Sequence, residues 1–218
     1  MPAACIAAGA VLHAREDGSI FVAHYGSVAA EIAVCLKSVG LVHHSDYGVH
    51  ELRGDRARLD RALIARLGDP PPAIGGARRL RNVWYLRLEP RRILLVGPHE
   101  ALASEPTIGR DRDRAELQRS DAGTSTTVVG IVGPRAPRLV TAVGLPDRLA
   151  IGAIATDPGD PGVVAILRES QRRYLALISR DRGDAFWARL VEAGKPLGAA
   201  FVGGDALTLL NASADAAG

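Results

Sequence analysis

The chain has 218 residues, 47% of them hydrophobic, with 27 basic against 24 acidic side chains and a formal net charge of +3. That content is enough for one substantial core or two small ones, and the absence of a basic block with interleaved aromatics argues against a nucleic-acid surface. Two cysteines, Cys5 and Cys35, make neither a disulfide framework nor a zinc ligand set, and the apolar start MPAACIAAGAVLHA lacks a charged leader and is too short to cross a membrane, so a reduced, cytoplasmic protein is expected.

Along the chain, Phe21 to Tyr25 reads as an extended apolar start, Gly26 as a turn and Ser27 as a helix cap. Val28, Ile32, Cys35 and Leu36 share one helical face, which makes Cys35 a core thiol, and Gly40 is expected to close the helix. Leu41-Val42 opens an extended run carrying His43, His44, Ser45 and Asp46. His43 and His44 point to opposite faces of a strand, so one metal does not take both. His44 and Asp46 share a face, either as an acid–base pair or as a plain surface pair.

A strand near Val49 to Leu52 then leads through Gly54 and Asp55 into the helix RLDRALIARL. Residues 69–76, with three consecutive prolines, are a loop. Trp84 to Leu88 and Arg92 to Val96 form a β-hairpin, followed by a short helix near Pro98 or Ser104. The charge-rich stretch 109–127 reads as a solvated connector. Val128 to Val132 leads through Gly133 into a helix with Pro134 in its first turn. Val163 to Leu167 and Arg173 to Ile178 form a second hairpin, and the helix AFWARLVEAG follows, capped by Asp184 and stopped by Gly194. Gly203-Gly204-Asp205 is a turn, not a phosphate loop, and the tail 211–218 is expected to be disordered.

The chain therefore reads strand–helix–hairpin–helix twice, over about 41–108 and 124–210. The expected architecture is α+β, a single domain over residues 1–210 with two sheets packed together and helices outside.

Tyr25-Gly26-Ser27, Ala30-Glu31, Val39-Gly40-Leu41, Ser45, Gly48 and Gly54 resemble the opening of the glycine-cleavage T-protein family. Ile131-Val132-Gly133-Pro134-Arg135-Ala136 resembles its Leu-Gln-Gly-Pro-Lys-Ala run, and Phe186 to Leu207 its closing helix and Gly-Ala-Arg-Asp-x-Leu segment. The similarity spans most of residues 12–210. It implies the T-protein folate-binding fold without the C-terminal barrel of the longer transferases, and a size closest to the gamma subunit of sarcosine oxidase.

The resemblance also implies a tetrahydrofolate site in the middle of a pseudo-duplicated ring. Two carboxylates that serve the family there are replaced: Arg81-Asn82 stand at the Asp-Asp position, and Leu175 stands where a Glu holds the pterin. Candidate catalytic residues are thus His44, Asp46 and Asn82, with Glu31 as another relocated carboxylate. Candidate ligand contacts are Tyr25, Asn82, Trp84 and Tyr174. Two functions follow. One is a non-catalytic folate-fold subunit docked on a larger flavoprotein amine oxidase, with folate bound weakly or by the partner. The other is a tetrahydrofolate-dependent aminomethyltransferase with rearranged residues. No metal is expected. Self-association is the other mode of partnering, and the expected interface is Leu197, Phe201, Val202, Leu207 and Leu209, together with the proline-rich loop leading to Trp84.

Overall fold

A computed structural model describes residues 3–15, 18, 20–68, 70–105, 117–156, 160 and 162–215. A short helix α1 (Ala3–Ala7) precedes the hairpin β1 (Val11–Ala14) and β2 (Ile20–His24), then α2 (Val28–Lys37) and β3 (Val39–His43). There follow β4 (Tyr47–Gly54), α3 (Arg56–Leu67), β5 (Ala77–Leu80), β6 (Val83–Glu89), β7 (Arg92–Pro98), α4 (His99–Ser104) and β8 (Leu117–Asp121). The chain continues through β9 (Thr126–Val132), α5 (Ala136–Ala142), β10 (Ile154–Ala155), β11 (Val163–Ser170), β12 (Arg173–Ser179), α6 (Gly183–Gly194), β13 (Ala199–Phe201) and α7 (Gly204–Asp215).

The strands form an open sheet in the order β5-β6-β7-β4-β8, an open sheet in the order β10-β11-β12-β9-β3-β13, and the separate β1-β2 ribbon. Pairing is antiparallel except between β13 and β3. The period-2 alternation of each strand sorts its side chains into layers. On β12, Leu175 and Leu177 face the other sheet, while Tyr174, Ala176 and Ile178 pack under Leu139, Phe186, Trp187 and Leu190 of α5 and α6. On β7, Leu94 and Val96 join the same intersheet layer, while Ile93 and Leu95 pack under Leu59 and Leu63 of α3. The fold is thus helix–sheet–sheet–helix, with α2 and α7 sharing a further core around Cys35, Val202 and Ala206.

The two large sheets are joined edge to edge. The Ala77 N–H donates to Gly152 O (2.6 Å) and the Ile154 N–H to Gly75 O (2.8 Å). Gly75 and Gly152 have φ of 79° and 78°, the left-handed region that favours glycine. The end of the proline-rich loop, expected as an open interface, is therefore an internal joint. Ile74 beside it is exposed, and Asp69 lies outside the described residues.

Several local expectations change. Helix α2 is capped by Ser27, whose Oγ accepts from the Ala30 N–H, but it ends at Ser38, not Gly40. Gly40 lies inside β3, where a Cβ would meet Cys35 Sγ and Val202 Cγ2 at 2.8 Å, so it serves close helix–strand packing. Pro134 precedes α5, and Pro137 occupies the first turn. Gly133 makes the bend between β9 and α5, because its φ is +132° and a Cβ would sit 2.3 Å from Ser38 O. Asp184 lies in the first turn of α6 and makes no capping bond, since the helix starts at Gly183 after a 3₁₀ turn. The connector 109–127 contains β8, which adds to the free edge of β4; residues 109–116 lie outside the described residues. Gly204-Asp205 opens α7 rather than forming a turn. The tail is helical through Asp215, tied down by Arg173 Nη1, which donates to Asn211 Oδ1 at 2.6 Å; residues 216–218 lie outside the described residues.

One buried ionic group fastens α3 to the first hairpin. Arg66 donates from Nε (2.8 Å) and Nη2 (2.7 Å) to the two oxygens of Glu105, and the Tyr85 hydroxyl donates to the same carboxylate. Burial alone would raise Glu105, but Arg66 and the Tyr85 hydroxyl outweigh it and hold the carboxyl below its usual range. Its stabilisation is therefore present above the ordinary glutamate pKa and is lost as pH falls through the lower folded value. Glu105→Gln is expected to cost about 1.5–3 kcal/mol at neutral pH. The difference from wild type should shrink at acid pH, once the wild-type carboxyl also protonates. Urea denaturation of both proteins at the two pH values checks it.

Candidate functional site

A cavity of about 590 Å³ lies where the end of β3, the start of β4, the β5–β6 turn, the β11–β12 turn and α7 converge. Its walls draw on both large sheets, and it is polar. The lining includes Arg15, Arg79 and Arg173 with Asp46, Glu100, Glu169 and Asp205, beside His43, His44, Tyr47 and Asn82. Among the described residues, no group of three or more His, Cys, Asp and Glu could hold a metal ion.

The structure brings three of the expected catalytic residues to this cavity: His44, Asp46 and Asn82. They do not form an acid–base pair. His44 and Asp46 lie in the link between β3 and β4, not on one strand face, and His44 Nδ1 is 3.9 Å from Asp46 Oδ1, beyond hydrogen-bond reach. Burial, reinforced by Arg173, pushes His44 down to about 3, so its imidazole is neutral. The ring packs on Tyr47 with centroids 4.2 Å apart, and it fills the space over Gly130, where a Cβ would meet its Nε2 at 2.8 Å. Asp46 is raised by burial and partly restored by Arg15, whose Nη2 donates to its Oδ2 at 2.7 Å. The Asn82 amide oxygen faces Arg79 Nη2 at 3.5 Å. Arg81 takes a positive φ of 52° at the tip of the β5–β6 turn, and its carbonyl accepts from Arg79 Nε.

The other expected ligand contacts stand elsewhere. Tyr25 stacks on Phe201, centroids 5.3 Å apart. Tyr174 is fully buried under α5 and α6. Trp84 packs between the sheets, and its indole N–H donates to Glu169 Oε1 at 2.8 Å. Leu175 is 2% exposed and lies in the same intersheet layer, with Leu86, Leu94, Val96, Val128 and Leu167. Glu31 does not face the cavity: its Oε1 accepts from the Tyr25 N–H (2.6 Å) and its Oε2 from the Gly203 N–H (2.8 Å). Of the expected interface residues, Val202 and Leu207 are buried in the α2–α7 core, Phe201 is half-buried against Trp187, and Leu197 is half-buried against the helix layer. Leu209 is 55% exposed.

Arg79, Glu169 and Arg173 are among the cavity residues that the sequence did not single out. A signal was present, because Glu169 and Arg173 bracket the turn of an otherwise apolar hairpin. Cross-sheet burial raises Glu169 above the usual carboxylate range, against the opposing influence of Arg173, Trp84 and Arg79.

No family model and no curated protein matches the sequence. Solved structures do match the fold. The crystal structure of the glycine cleavage system aminomethyltransferase T from Bartonella henselae superposes with a TM-score of 0.75 at 20% identity, covering 93% of this chain and 58% of that one. A chain of the heterotetrameric sarcosine oxidase from Corynebacterium sp. U-96, in complex with pyrrole 2-carboxylate, superposes with a TM-score of 0.54 at 20% identity, covering 79% of this chain and 93% of that one. The present chain thus spans little more than half of the aminomethyltransferase and nearly all of the oxidase chain. The resemblance read from the sequence is matched by the fold, an α+β arrangement of open sheets.

Proposed function

We propose that this chain is a non-catalytic, folate-fold subunit that docks on a larger flavoprotein amine oxidase, in the manner of a small chain of a heterotetrameric sarcosine oxidase. The observation that carries the proposal is Leu175. The resemblance puts a pterin-holding Glu at this position, and here an apolar side chain closes the layer between the sheets. A pterin presents a row of buried N–H donors, and each donor left without its charged acceptor weakens binding about tenfold to a hundredfold. The match over nearly the full length of an oxidase chain supports the same reading. The rival, a transferase with moved carboxylates, is disfavoured because both oxygens of Glu31 already accept backbone N–H groups.

Two pseudo-repeats, about 41–108 and 124–210, underlie this fold in the proposal. Supporting it, β5-β6-β7-β4 and β10-β11-β12-β9 run in the same spatial order, and the joint between the sheets is made by reciprocal bonds at Gly75 and Gly152.

Co-expression with a flavoprotein amine oxidase from the same genome, followed by affinity capture through this chain, tests the proposal. A stoichiometric complex is expected, and an unaccompanied monomer counts against it. Docking is assigned to the exposed side of α7. Leu209→Asp should change stability by no more than about 0.5 kcal/mol, because the side chain is largely in solvent, while weakening capture of the partner. A thermal melt beside the capture assay separates the two effects, and a variant that merely unfolds removes the assignment.

A further inference from the structure

Besides Asp205 at the start of α7, the cavity holds charges of two kinds. Arg15 and Asp46 are spent on each other at 2.7 Å. Arg79, Glu169 and Arg173 are not: among the described residues none of the three has an ion-pair partner within 4.0 Å. Each is instead pinned by a neutral neighbour. The Trp84 indole N–H holds Glu169 at 2.8 Å, the Asn211 amide oxygen holds Arg173 Nη1 at 2.6 Å, and the Arg81 carbonyl holds Arg79 Nε at 2.9 Å. Among the described residues the buried Nε–H of Arg173 has no hydrogen-bond partner, a condition that costs free energy unless something fills it. The two guanidiniums come from opposite sheets, Arg79 from β5 and Arg173 from β12, and both line the same cavity as Glu169.

A carboxylate placed between Arg79 and Arg173 would take two charge-assisted sets of N–H donors. An amino group beside it would meet the Glu169 carboxylate, which has one donor at present. A lone anion leaves Glu169 unmatched, and a lone cation leaves both arginines unmatched. A cavity of about 590 Å³ also falls within the range that encloses a small molecule. We infer that this cavity is a binding site for a free amino acid, its carboxylate on Arg173 and Arg79 and its amino group on Glu169. The inference rests on the reading above that this chain is a subunit that no longer holds a pterin.

The test is calorimetry on the full chain at neutral pH, with the common amino acids, acetate and methylamine as probes. At least one amino acid is expected to bind, with acetate and methylamine about tenfold or more weaker. Arg173→Gln should lose amino-acid binding about tenfold to a hundredfold, and Glu169→Gln should reduce the preference for the amino acid over acetate. Arg79→Gln, at an exposed position on an edge strand, repeats the Arg173 test where folding is not at stake. Circular dichroism confirms that each variant is folded. No heat from any amino acid up to about 10 mM, or binding unchanged in folded Arg79→Gln and Glu169→Gln, overturns the inference. Failure with tetrahydrofolate also silent removes the amino-acid site and leaves the subunit reading standing. Tetrahydrofolate that displaces a bound amino acid removes the subunit reading and keeps the site.

Discussion

Leu175→Glu is expected to destabilise the protein by about 3–6 kcal/mol. The substitution introduces the side chain that the resemblance puts at this position, yet the present environment cannot receive it. Leu175 is 2% exposed, with the apolar side chains of Leu86, Leu94, Val96, Val128, Leu167 and Leu177 in the same layer. Removing the leucine forfeits about 1.5–3 kcal/mol of apolar burial. Leaving a carboxyl in its place without hydrogen-bond partners adds about 1–3 kcal/mol, even if it escapes ionisation by protonating. Total stabilities of about 5–15 kcal/mol leave little margin, so partial unfolding at room temperature is within the expected range. A urea titration followed by circular dichroism reads the loss. A variant as stable as wild type that also gains tetrahydrofolate affinity would mean that the intersheet layer still opens as a ligand slot.

Glu31→Ala is expected to cost about 3–5 kcal/mol, although the side chain lies outside the cavity. Glu31 is 5% exposed and ties two distant segments to α2: the Tyr25 N–H ahead of the helix and the Gly203 N–H just before α7. Charge-assisted bonds of this kind contribute about 1.5–3 kcal/mol each. Gly203 has no room for compensation, because even a Cβ on it would lie 2.1 Å from Ala23 O. Removing the carboxylate leaves two donors without acceptors in a packed region. Glu31→Gln keeps one acceptor and should lose about half as much. Hydrogen exchange of the Tyr25 and Gly203 amides locates the effect, and both should lose protection in the alanine variant. A stable Glu31→Ala protein with both amides still protected would show that the carboxylate does not hold these segments.

What the sequence made legible was local. The Asp55-capped helix, the two hairpins and the Ser27 cap follow from spacing within a dozen residues, and the structure has them. The boundaries that moved did so for tertiary reasons: Gly40 lies inside a strand because Cys35 and Val202 approach it, and residues 117–121 pair because β4 offers a free edge. The cavity was half-legible. His44 and Asp46 could be picked out as polar residues beside an apolar run and Asn82 only through the resemblance, whereas Glu169 acquires its setting from Trp84, 85 residues away. The Glu31 clasp likewise spans 172 residues to Gly203. A signal for the intersheet joint was in plain view: Ala73-Ile74-Gly75-Gly76 and Ala150-Ile151-Gly152-Ala153 share an Ala-Ile-Gly turn, and each lends its glycine to the other's edge strand.

The central claim is that the folate-fold site no longer receives a pterin. Equilibrium titration of the purified chain with tetrahydrofolate, followed by quenching of Trp84 and Trp187 fluorescence and repeated by calorimetry, tests it most directly. No saturable binding is expected up to about 1 mM. Saturation at micromolar concentration, abolished by a bulky substitution in the intersheet layer, would contradict it.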